Sequence, residues 1–477
     1  MSKMLNRKTL YVLAIVLLSV GCVTVFLTYS SVYSCGVPLG STTVSRFDLK
    51  TIHFGAVTKF RLPNSGFPNG ITAAPDGSIW FGEQNVPALA HLYQNGTMIE
   101  YAWPVSYSPS TTAIWGVADW KGRIWASDAL GGQIVSLNPI TSSLTVIKLG
   151  NVEAFPYTIT VGPDDALWFT ELYGLKLGRI DAQCKLTEYA VPKSFGGTPT
   201  QIEFQNDTTG YYADVGNATS AVSRILSFNI KQFAPQPIPG SFRPIAASSL
   251  ALTPDGLWVA QHASSNLAYD NFQTNSFSLF PTTPVSYVET TLPYFVVGNG
   301  SLVWFNEHYA NRIGVIDTQR QLLTEYSLSN PPANKTTQID NALTLTLCGS
   351  RVWFTELTAN YVGYIDASYQ PTFSVSPAKQ IFHATAGRNL TMSFVASGFS
   401  TGPLRIRFAD SEKYTSVPFR IALQSNETEI SSLNGRDLIN VVVSTDPRLV
   451  PGTYTLLITL SNGLINQGVY VSLQVAE

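Results

Sequence analysis

The chain has 477 residues, which is long for one ordinary domain unless a repeat array fills most of it. Charged residues make up only 13% of it, about half the usual share, and the formal net charge is -2. This balance offers no basic surface for nucleic acid and excludes that class of partner. Aromatic residues reach 12%, which favours an all-β protein with buried aromatic strands.

The N-terminal segment is basic at its start and then uncharged, with an apolar core at Leu10–Tyr29. About 20 apolar residues are enough to cross a bilayer as a helix. A cleaved signal peptide would have a shorter apolar core and a small-residue cleavage site, so we expect an uncleaved anchor. Residues 1–35 are therefore predicted to form a single-pass membrane anchor, with a transmembrane helix at about 10–29. The basic end should remain in the cytoplasm, so the bulk of the chain is expected to be extracellular.

Glycosylation sequons of the type Asn-x-Ser/Thr occur throughout the part of the chain that follows this segment. In an extracellular chain these motifs are acceptors for N-linked glycans. The seven candidate sites are Asn95, Asn206, Asn217, Asn299, Asn334, Asn389 and Asn426. We therefore expect a glycoprotein.

A tryptophan-centred repeat dominates the chain, and its clearest copy is PDDALWFTE at Pro163–Glu171. The lead aromatic residues are Trp80, Trp125, Trp168, Tyr211, Trp258, Trp304 and Trp353, at intervals of 43 to 49 residues. A period near 45 with several short strands per repeat is typical of a β-propeller. The sequence predicts seven blades of four strands over residues 57–376.

Ring closure is predicted from a strand that precedes the first complete repeat. Val57–Pro63 has the pattern of a fourth strand, as Leu186–Pro192 does in blade three. It should pair beside the third strand of blade seven, near Tyr361–Asp366, because closure of the ring removes free sheet edges. Residues 36–56 are expected to be a short spacer.

The repeat disappears after about residue 376, and residues 377–477 contain short runs of alternating apolar and polar residues separated by turns. About 100 residues with roughly seven strands are typical of an immunoglobulin-like β-sandwich. The predicted fold class is thus all-β: one N-terminal transmembrane helix, a seven-bladed propeller and a C-terminal immunoglobulin-like sandwich. Of the cysteines, Cys184 and Cys348 fall in different blades, and no pairing is assigned.

Six acidic residues and one glutamine stand three positions after the seven lead aromatics. Repeated around a ring, they would form an acidic rim, which favours a hard cation such as Mg²⁺ or Ca²⁺. The candidate metal ligands are Glu83, Glu171, Glu307 and Glu356. The alternative is that each carboxylate accepts hydrogen bonds within its own part of the ring, and repetition in nearly every blade favours this alternative.

His262 and His308 each follow this rim position by one residue, in the adjacent blades five and six. With the neighbouring glutamates they are the one concentration of titratable residues with a possible common location. They are the candidate catalytic residues, because two histidines could supply a general base or hold a transition metal.

The repeats resemble those of the virginiamycin B lyase (streptogramin lyase) family of seven-bladed propellers. The resemblance rests on Pro68-Asn69-Gly70-Ile71, on the Pro-Asp-Gly-x-Ile-Trp-Phe-x-Glu pattern and on Leu177-Gly178-Arg179-Ile180-Asp181, and it covers about residues 57–370. It implies a lyase that opens a cyclic lactone with a Mg²⁺ ion and a histidine base. In that family the key histidines follow the proline that starts a first strand. Those places hold Asn69, Tyr157, Thr200 and Tyr294 here, so the implied base is missing.

Two functions remain open from the sequence. The favoured one is a binding or scaffold module at the cell surface, with a surface protein or a glycan as partner, which includes a subunit of an envelope or surface-layer assembly. The alternative is a metal-dependent lyase or lactone-opening enzyme with a rearranged site. Fold alone does not choose between them.

Overall fold

The structure is a computed structural model that describes residues 35–104, 107, 110–195, 197–216, 223–238, 246–286, 288–329, 342–411, 421–423 and 429–476. Strands make up nearly all of its regular structure, and 3₁₀ turns occur at Val152–Ala154 and Lys193–Phe195. The predicted helix at about 10–29 lies outside these ranges. Within them, no helix is long and apolar enough to cross a membrane. For the described residues the predicted fold class is therefore corrected to all-β without a transmembrane helix.

The strands follow the chain in groups of four. The N-terminal group is β1 (Val37–Ser41), β2 (Thr43–Asp48), β3 (Lys50–Phe54) and β4 (Val57–Arg61). Blade one has β5 (Pro68–Ala73), β6 (Ile79–Glu83), β7 (Ala88–Leu92) and β8 (Thr97–Ala102). Blade two has β9 (Ile114–Trp120), β10 (Arg123–Asp128), β11 (Gln133–Asn138) and β12 (Ser143–Lys148). Blade three has β13 (Pro156–Val161), β14 (Leu167–Glu171), β15 (Lys176–Ile180) and β16 (Leu186–Ala190).

The remaining blades repeat this order. Blade four has β17 (Pro199–Phe204), β18 (Thr209–Asp214), β19 (Arg224–Asn229) and β20 (Gln236–Pro237). Blade five has β21 (Ala247–Thr253), β22 (Gly256–Gln261), β23 (Asn266–Asn271) and β24 (Ser276–Pro281). Blade six has β25 (Pro293–Asn299), β26 (Leu302–Glu307), β27 (Arg312–Asp317) and β28 (Leu322–Ser327). Blade seven has β29 (Ala342–Cys348), β30 (Arg351–Glu356) and β31 (Tyr361–Asp366).

The seven sheets form a closed ring. Each first strand contacts the first strand of the next blade, and β29 of blade seven contacts β5 of blade one. All seven lead aromatic residues lie in second strands and are buried between neighbouring blades. The glycine of the Ile-Gly motif in the third strand has a packing role. A Cβ atom at Gly363 would lie 2.6 Å from the ring of Phe354, so the aromatic ring excludes any larger side chain.

Ring closure occurs where the sequence predicts it. Strand β4 pairs antiparallel with β31, with Val57 opposite Ile365 and Arg61 opposite Tyr361. It supplies the fourth strand of blade seven, so the N-terminal part of the ring is hydrogen-bonded to its last blade. This pairing satisfies backbone groups that would otherwise form a free edge.

Residues 37–54, expected to be a spacer, form a belt of three outer strands. Strand β1 pairs with β12 of blade two, β2 with β8 of blade one, and β3 with β4 of blade seven. A disulfide between Cys35 and Cys184 attaches the start of this belt to blade three. The spacer assignment missed the belt because edge pairing uses backbone groups, which leave little pattern in the sequence.

The C-terminal region is a two-sheet sandwich, and one of its sheets is continuous with the sheet of blade six. One sheet contains β32 (Phe373–Pro377), β34 (Asn389–Ser400), β36 (Ile421–Leu423) and β38 (Leu433–Thr445). The other contains β33 (Ile381–Thr385), β35 (Leu404–Asp410), β37 (Glu429–Ile430), β39 (Gly452–Ser461) and β40 (Ile465–Ala476). Strand β40 also pairs with β28, so the sheet of blade six continues into the sandwich. That the sandwich is immunoglobulin-like stays a prediction.

Candidate functional site

One rim of the ring carries the ends of the second strands and the starts of the first strands. The register shows this, because Pro68 is opposite Glu83 in blade one and Pro293 is opposite Glu307 in blade six. In every blade the pairing of the first strand with the second has a register shift next to this rim. Such bulges redirect side chains, here at the mouth of the central channel.

The residues at the ends of the second strands are buried and have different partners from blade to blade. In blades two and four the residue is an aspartate that accepts hydrogen bonds from nearby amides. Asp128 accepts from the backbone of Ala113 and from the side chain of Gln133 at 3.0 and 2.8 Å. Asp214 accepts from the backbone of Gly197 at 2.8 Å. These carboxylates stabilise the loops of their own blades.

In blade three a second glutamate and a lysine accompany the rim residue. Lys176 Nζ lies 3.0 Å from Glu188 Oε1, and the pair is partly exposed. Burial, followed by the charge of Glu188, raises the pKa of Glu171 to about 8. The positive charge of Lys176 opposes this increase.

Blades six and seven contain fully buried ion pairs. Arg312 Nη1 lies 2.7 Å from Glu325 Oε2 and 3.8 Å from Glu307 Oε2. Burial, followed by the charge of Glu325, raises the pKa of Glu307 to about 7. In blade seven, Lys59 of the closing strand contacts both carboxylate oxygens of Glu356, at 3.1 and 2.8 Å. Lys59 of the closing strand thus neutralises the rim carboxylate of blade seven.

Blade one has the same pair of glutamates without a cation. Glu83 ends β6, and Glu100 lies in β8 at the position of the second glutamate in blades three and six. Ala88 occupies the place of the basic residue. Burial, followed by the charge of Glu100, raises the pKa of Glu83 well above its ordinary value. The protonated form of Glu83 is therefore favoured in the folded chain.

The predicted metal ligands do not fit Mg²⁺ or Ca²⁺. Glu83, Glu171, Glu307 and Glu356 lie in four different blades, and the last two contact arginine or lysine. In the described part of the chain, no group of three or more His, Cys, Asp or Glu residues is placed to hold a metal ion. Hard cations need several oxygen ligands around one point. These four carboxylates therefore do not form one such site among the described residues.

The two candidate histidines do come together. His262 Nε2 lies 3.1 Å from His308 Nδ1, and the ring of Tyr294 contacts both imidazoles at centroid distances of 4.9 and 4.1 Å. Burial, followed by the charge of His262, lowers the pKa of His308 to about 3. Burial also lowers the pKa of His262. Both imidazoles are neutral at ordinary pH, and the buried Nε2 of His308 has no hydrogen-bond partner among the described residues.

Tyrosines occupy two of the places where the family resemblance implies a histidine, and they meet across the channel. The hydroxyls of Tyr157 and Tyr294 are in contact. Blades three and six lie on opposite sides of a seven-membered ring, so this contact crosses the axis. The third place holds Asn69, whose buried amide has no hydrogen-bond partner among the described residues. The fourth holds Thr200, which donates to Ala247 O at 3.1 Å. None of these four residues is a base.

Aromatic side chains surround the crossing point. Trp115 lies 5.0 Å from Tyr157 between ring centroids, and Phe155 lies 4.9 Å from Tyr173. The same rim exposes other apolar side chains in the segments that flank the first and second strands. The exposed members are Phe67, Leu130, Val152, Tyr173 and Tyr309. We name the aromatic and histidine residues of this region the channel mouth; its members are Trp115, Phe155, Tyr157, Tyr173, His262, Tyr294, His308 and Tyr309.

The described sequon asparagines lie on the surface. Among the sequons, Asn95, Asn206, Asn299 and Asn389 are exposed, whereas Asn217, Asn334 and Asn426 lie outside the described residues. No sequence pattern predicts the disulfide between Cys35 and Cys184, because the two residues are 149 positions apart. The aromatic channel mouth was also missed, although Tyr157 and Tyr294 were named as residues at the places of the family's histidines.

A closed ring of seven sheets around a channel lined by side chains defines this chain as a β-propeller protein. Its sequence matches the virginiamycin B lyase family over residues 43–266 and 117–381. The chain therefore belongs to that family. The sandwich strands beyond residue 381 lie outside the match.

Several proteins are similar to this chain. The virginiamycin B lyase of Nocardia farcinica is 28% identical over 125 residues, which span 26% of this chain and 42% of that relative. A streptogramin B lyase structure has a TM-score of 0.54 and 22% identity, and the match covers 65% of this chain and 96% of that one. A catalytically inactive histidine-to-alanine variant of the virginiamycin B lyase from Staphylococcus aureus, with quinupristin, has a TM-score of 0.55 and 19% identity over 65% of this chain and 98% of that one. At these identities the structural likeness shows the fold alone.

Proposed function

We propose that this chain is a binding propeller that works outside the cytoplasm and takes an aromatic ligand at the channel mouth. The observation that carries the proposal is the replacement of a base by Tyr157 and Tyr294, which contact each other across the axis. Aromatic faces and exposed tyrosines bind flat or aromatic groups, and they do not abstract protons at neutral pH.

The extracytoplasmic location is supported by the disulfide. Bonds such as Cys35–Cys184 persist in oxidising compartments and are rare in the cytoplasm. The exposure of all four described sequon asparagines agrees with glycan attachment, which needs surface residues.

A cyclic peptide with aromatic side chains is the ligand class that fits the mouth. Such a ligand can stack on Tyr173 and Tyr309, which are 64% and 40% exposed. Pockets of this type combine apolar walls with a few polar groups that fix orientation.

The test uses quinupristin, the compound present in the solved Staphylococcus aureus structure, with the purified full chain. Tryptophan fluorescence and calorimetry should show binding, and chromatography with mass spectrometry should recover an unaltered ligand. Tyr173→Ala should weaken binding about 10-fold, because one exposed aromatic contact is lost. Phe399→Ala, an exposed aromatic change in the sandwich, is the matched control and should have no effect. Absence of binding, or equal affinity in Tyr173→Ala, would refute this proposal.

A second candidate function is metal-independent opening of a cyclic ester with a histidine base. The hydrogen-bonded pair of His262 and His308 favours it, because a neutral imidazole can accept a proton. In the same assay this function would appear as an altered ligand. Turnover should then resist a chelator and be lost in His308→Ala; turnover that the chelator abolishes would contradict it.

A further inference from the structure

A cavity of about 370 Å³ lies between blade six and the sandwich. Its propeller wall comes from the segment after β24 and from the start of β27, including Thr283 and Arg312. Its sandwich wall comes from β35 and from the β39–β40 turn, including Arg405, Arg407 and Asn462. Most of the lining residues are polar.

Direct contacts between the two regions hold these walls in place. The backbones of β28 and β40 pair along five residues, so one sheet crosses the junction. Tyr470 Oη donates to Pro281 O at 3.0 Å, and the hydroxyls of Thr283 and Thr459 are 3.0 Å apart. Ala409 and other sandwich residues also pack into the apolar core of blades five and six. The cavity is therefore a built feature of the junction.

Three guanidinium groups line the cavity. On β35, Leu404 and Ile406 are buried in the sandwich core, so the alternating Arg405 and Arg407 lie on the opposite face of the strand. That is the face that packs against the propeller, because Ala409 continues the same alternation. Arg312 lines the cavity from blade six.

The three arginines differ in how their charges are balanced. Arg312 is neutralised by Glu325 at 2.7 Å and also donates to Thr283 O. Arg405 lies 3.8 Å from Glu429 in an exposed pair. Arg407 is half-buried and has no ion-pair or hydrogen-bond partner among the described residues. Burial, followed by the charges of Arg405 and Arg312, lowers the pKa of Arg407.

A half-buried guanidinium beside two others lacks an anion. The planar fork of an arginine matches a carboxylate, and two forks can hold both of its oxygens. Around them, hydroxyl and amide side chains such as Ser286, Asn462 and Ser461 offer donors and acceptors for hydroxyl groups. The volume lies at the small end of the range for ligand sites, which suits one sugar ring.

We propose that the junction cavity binds a small acidic sugar, of the size of a hexuronate. The carboxylate contacts Arg407 and Arg405, and the sugar hydroxyls contact the serine and asparagine side chains. None of the named channel-mouth residues lines this site, and the proposal does not depend on the function proposed for them.

Calorimetry of the full chain with D-glucuronate, D-glucose and sodium sulfate tests this site. Glucuronate should bind, and glucose, which has the same ring without the carboxylate, should not. Arg407→Gln should weaken glucuronate binding about 10- to 100-fold, the usual effect of losing a charged hydrogen bond. Arg407→Lys retains the positive charge but not the planar fork. Its affinity for glucuronate should lie between that of the unchanged chain and that of Arg407→Gln.

Arg436→Gln is the matched control, because it removes one exposed arginine from the other sheet of the sandwich. It should bind glucuronate as the unchanged chain does, and thermal unfolding should show that Arg407→Gln remains folded. Glucuronate binding that is absent, or unchanged in Arg407→Gln, would overturn the proposal. Sulfate binding as tight as glucuronate binding would also overturn it, since the hydroxyl contacts would then contribute nothing.

Discussion

Blade one and blade six place two glutamates at the same two positions, but only blade six adds a cation. There Arg312 begins the third strand and lies between the carboxylates, whereas blade one has Ala88 at that place. Burial and the charge of Glu100 therefore raise the pKa of Glu83 well above its ordinary value, whereas an ion pair holds the carboxylates of blade six. One residue of the third strand therefore decides whether the two glutamates have a positive charge beside them.

Removing the cation from blade six should give the largest effect. Arg312→Met leaves two buried carboxylates without a partner, which costs about 3–5 kcal/mol in the free energy of unfolding. Denaturant unfolding at pH 8 measures this loss, and the loss should be smaller at pH 5, where the carboxyls can take up a proton. The exposed Arg405→Met is the control and should change stability by less than about 1 kcal/mol. A loss in Arg312→Met no larger than the control's would show that the two blades do not differ as described.

The pH dependence of the unchanged chain should reflect the same carboxyls. The pKa of Glu83 is raised well above its ordinary 4.5, that of Glu171 to about 8 and that of Glu307 to about 7. Such groups favour the folded state below pH 4.5 and lose that contribution as pH rises through their folded pKa values. The free energy of unfolding should thus fall between pH 5 and pH 8, as measured in denaturant titrations.

Buried histidines should lower the free energy of unfolding at acid pH. Burial lowers the pKa of His91 to about 4 and that of His308 to about 3. Their contribution is complete above the ordinary value of 6.5 and is lost as pH falls toward the folded values. Maximum stability is therefore expected between about pH 4.5 and 6.5. A maximum at pH 8 would contradict the raised pKa values of Glu83, Glu171 and Glu307.

Removing one carboxyl from blade one should have a smaller effect that depends on pH. Glu83→Gln retains the shape and the hydrogen-bonding capacity of the side chain and abolishes its titration. The variant should match the unchanged chain at pH 5 and be more stable at pH 8, where Glu83 would have to ionise. Equal stability of the two proteins at pH 8 would show that the pair carries no unfavourable charge.

The lysine of blade three should matter least. Lys176 and Glu188 are 29% and 21% exposed, so water screens their attraction. Lys176→Met should reduce the free energy of unfolding by less than about 1 kcal/mol, and added salt should remove most of the difference. A loss as large as that of Arg312→Met would mean that burial does not determine the strength of these pairs.

The candidate site was only partly predictable. The spacing of His262 and His308 after their lead tryptophans indicated a common location, and the structure places the two rings in contact. The contact between Tyr157 and Tyr294 could not be predicted, because it depends on the diameter of the ring. The cation of blade seven comes from Lys59, which lies 297 residues before its partner Glu356. No local pattern connects residues so far apart.

The sequence alone determined the ring, because equal spacing of bulky aromatics requires equal wedges, and the pattern of Val57–Pro63 was enough to assign its closure. Tertiary structure decided the belt, the disulfide of Cys35 and the junction cavity. These features depend on backbone groups and side chains that meet only after the ring has closed. The spacing of the repeats predicts pairing between strands that are neighbours in sequence. Contacts between residues far apart in sequence depend on the geometry of the whole ring, and no single repeat specifies that geometry.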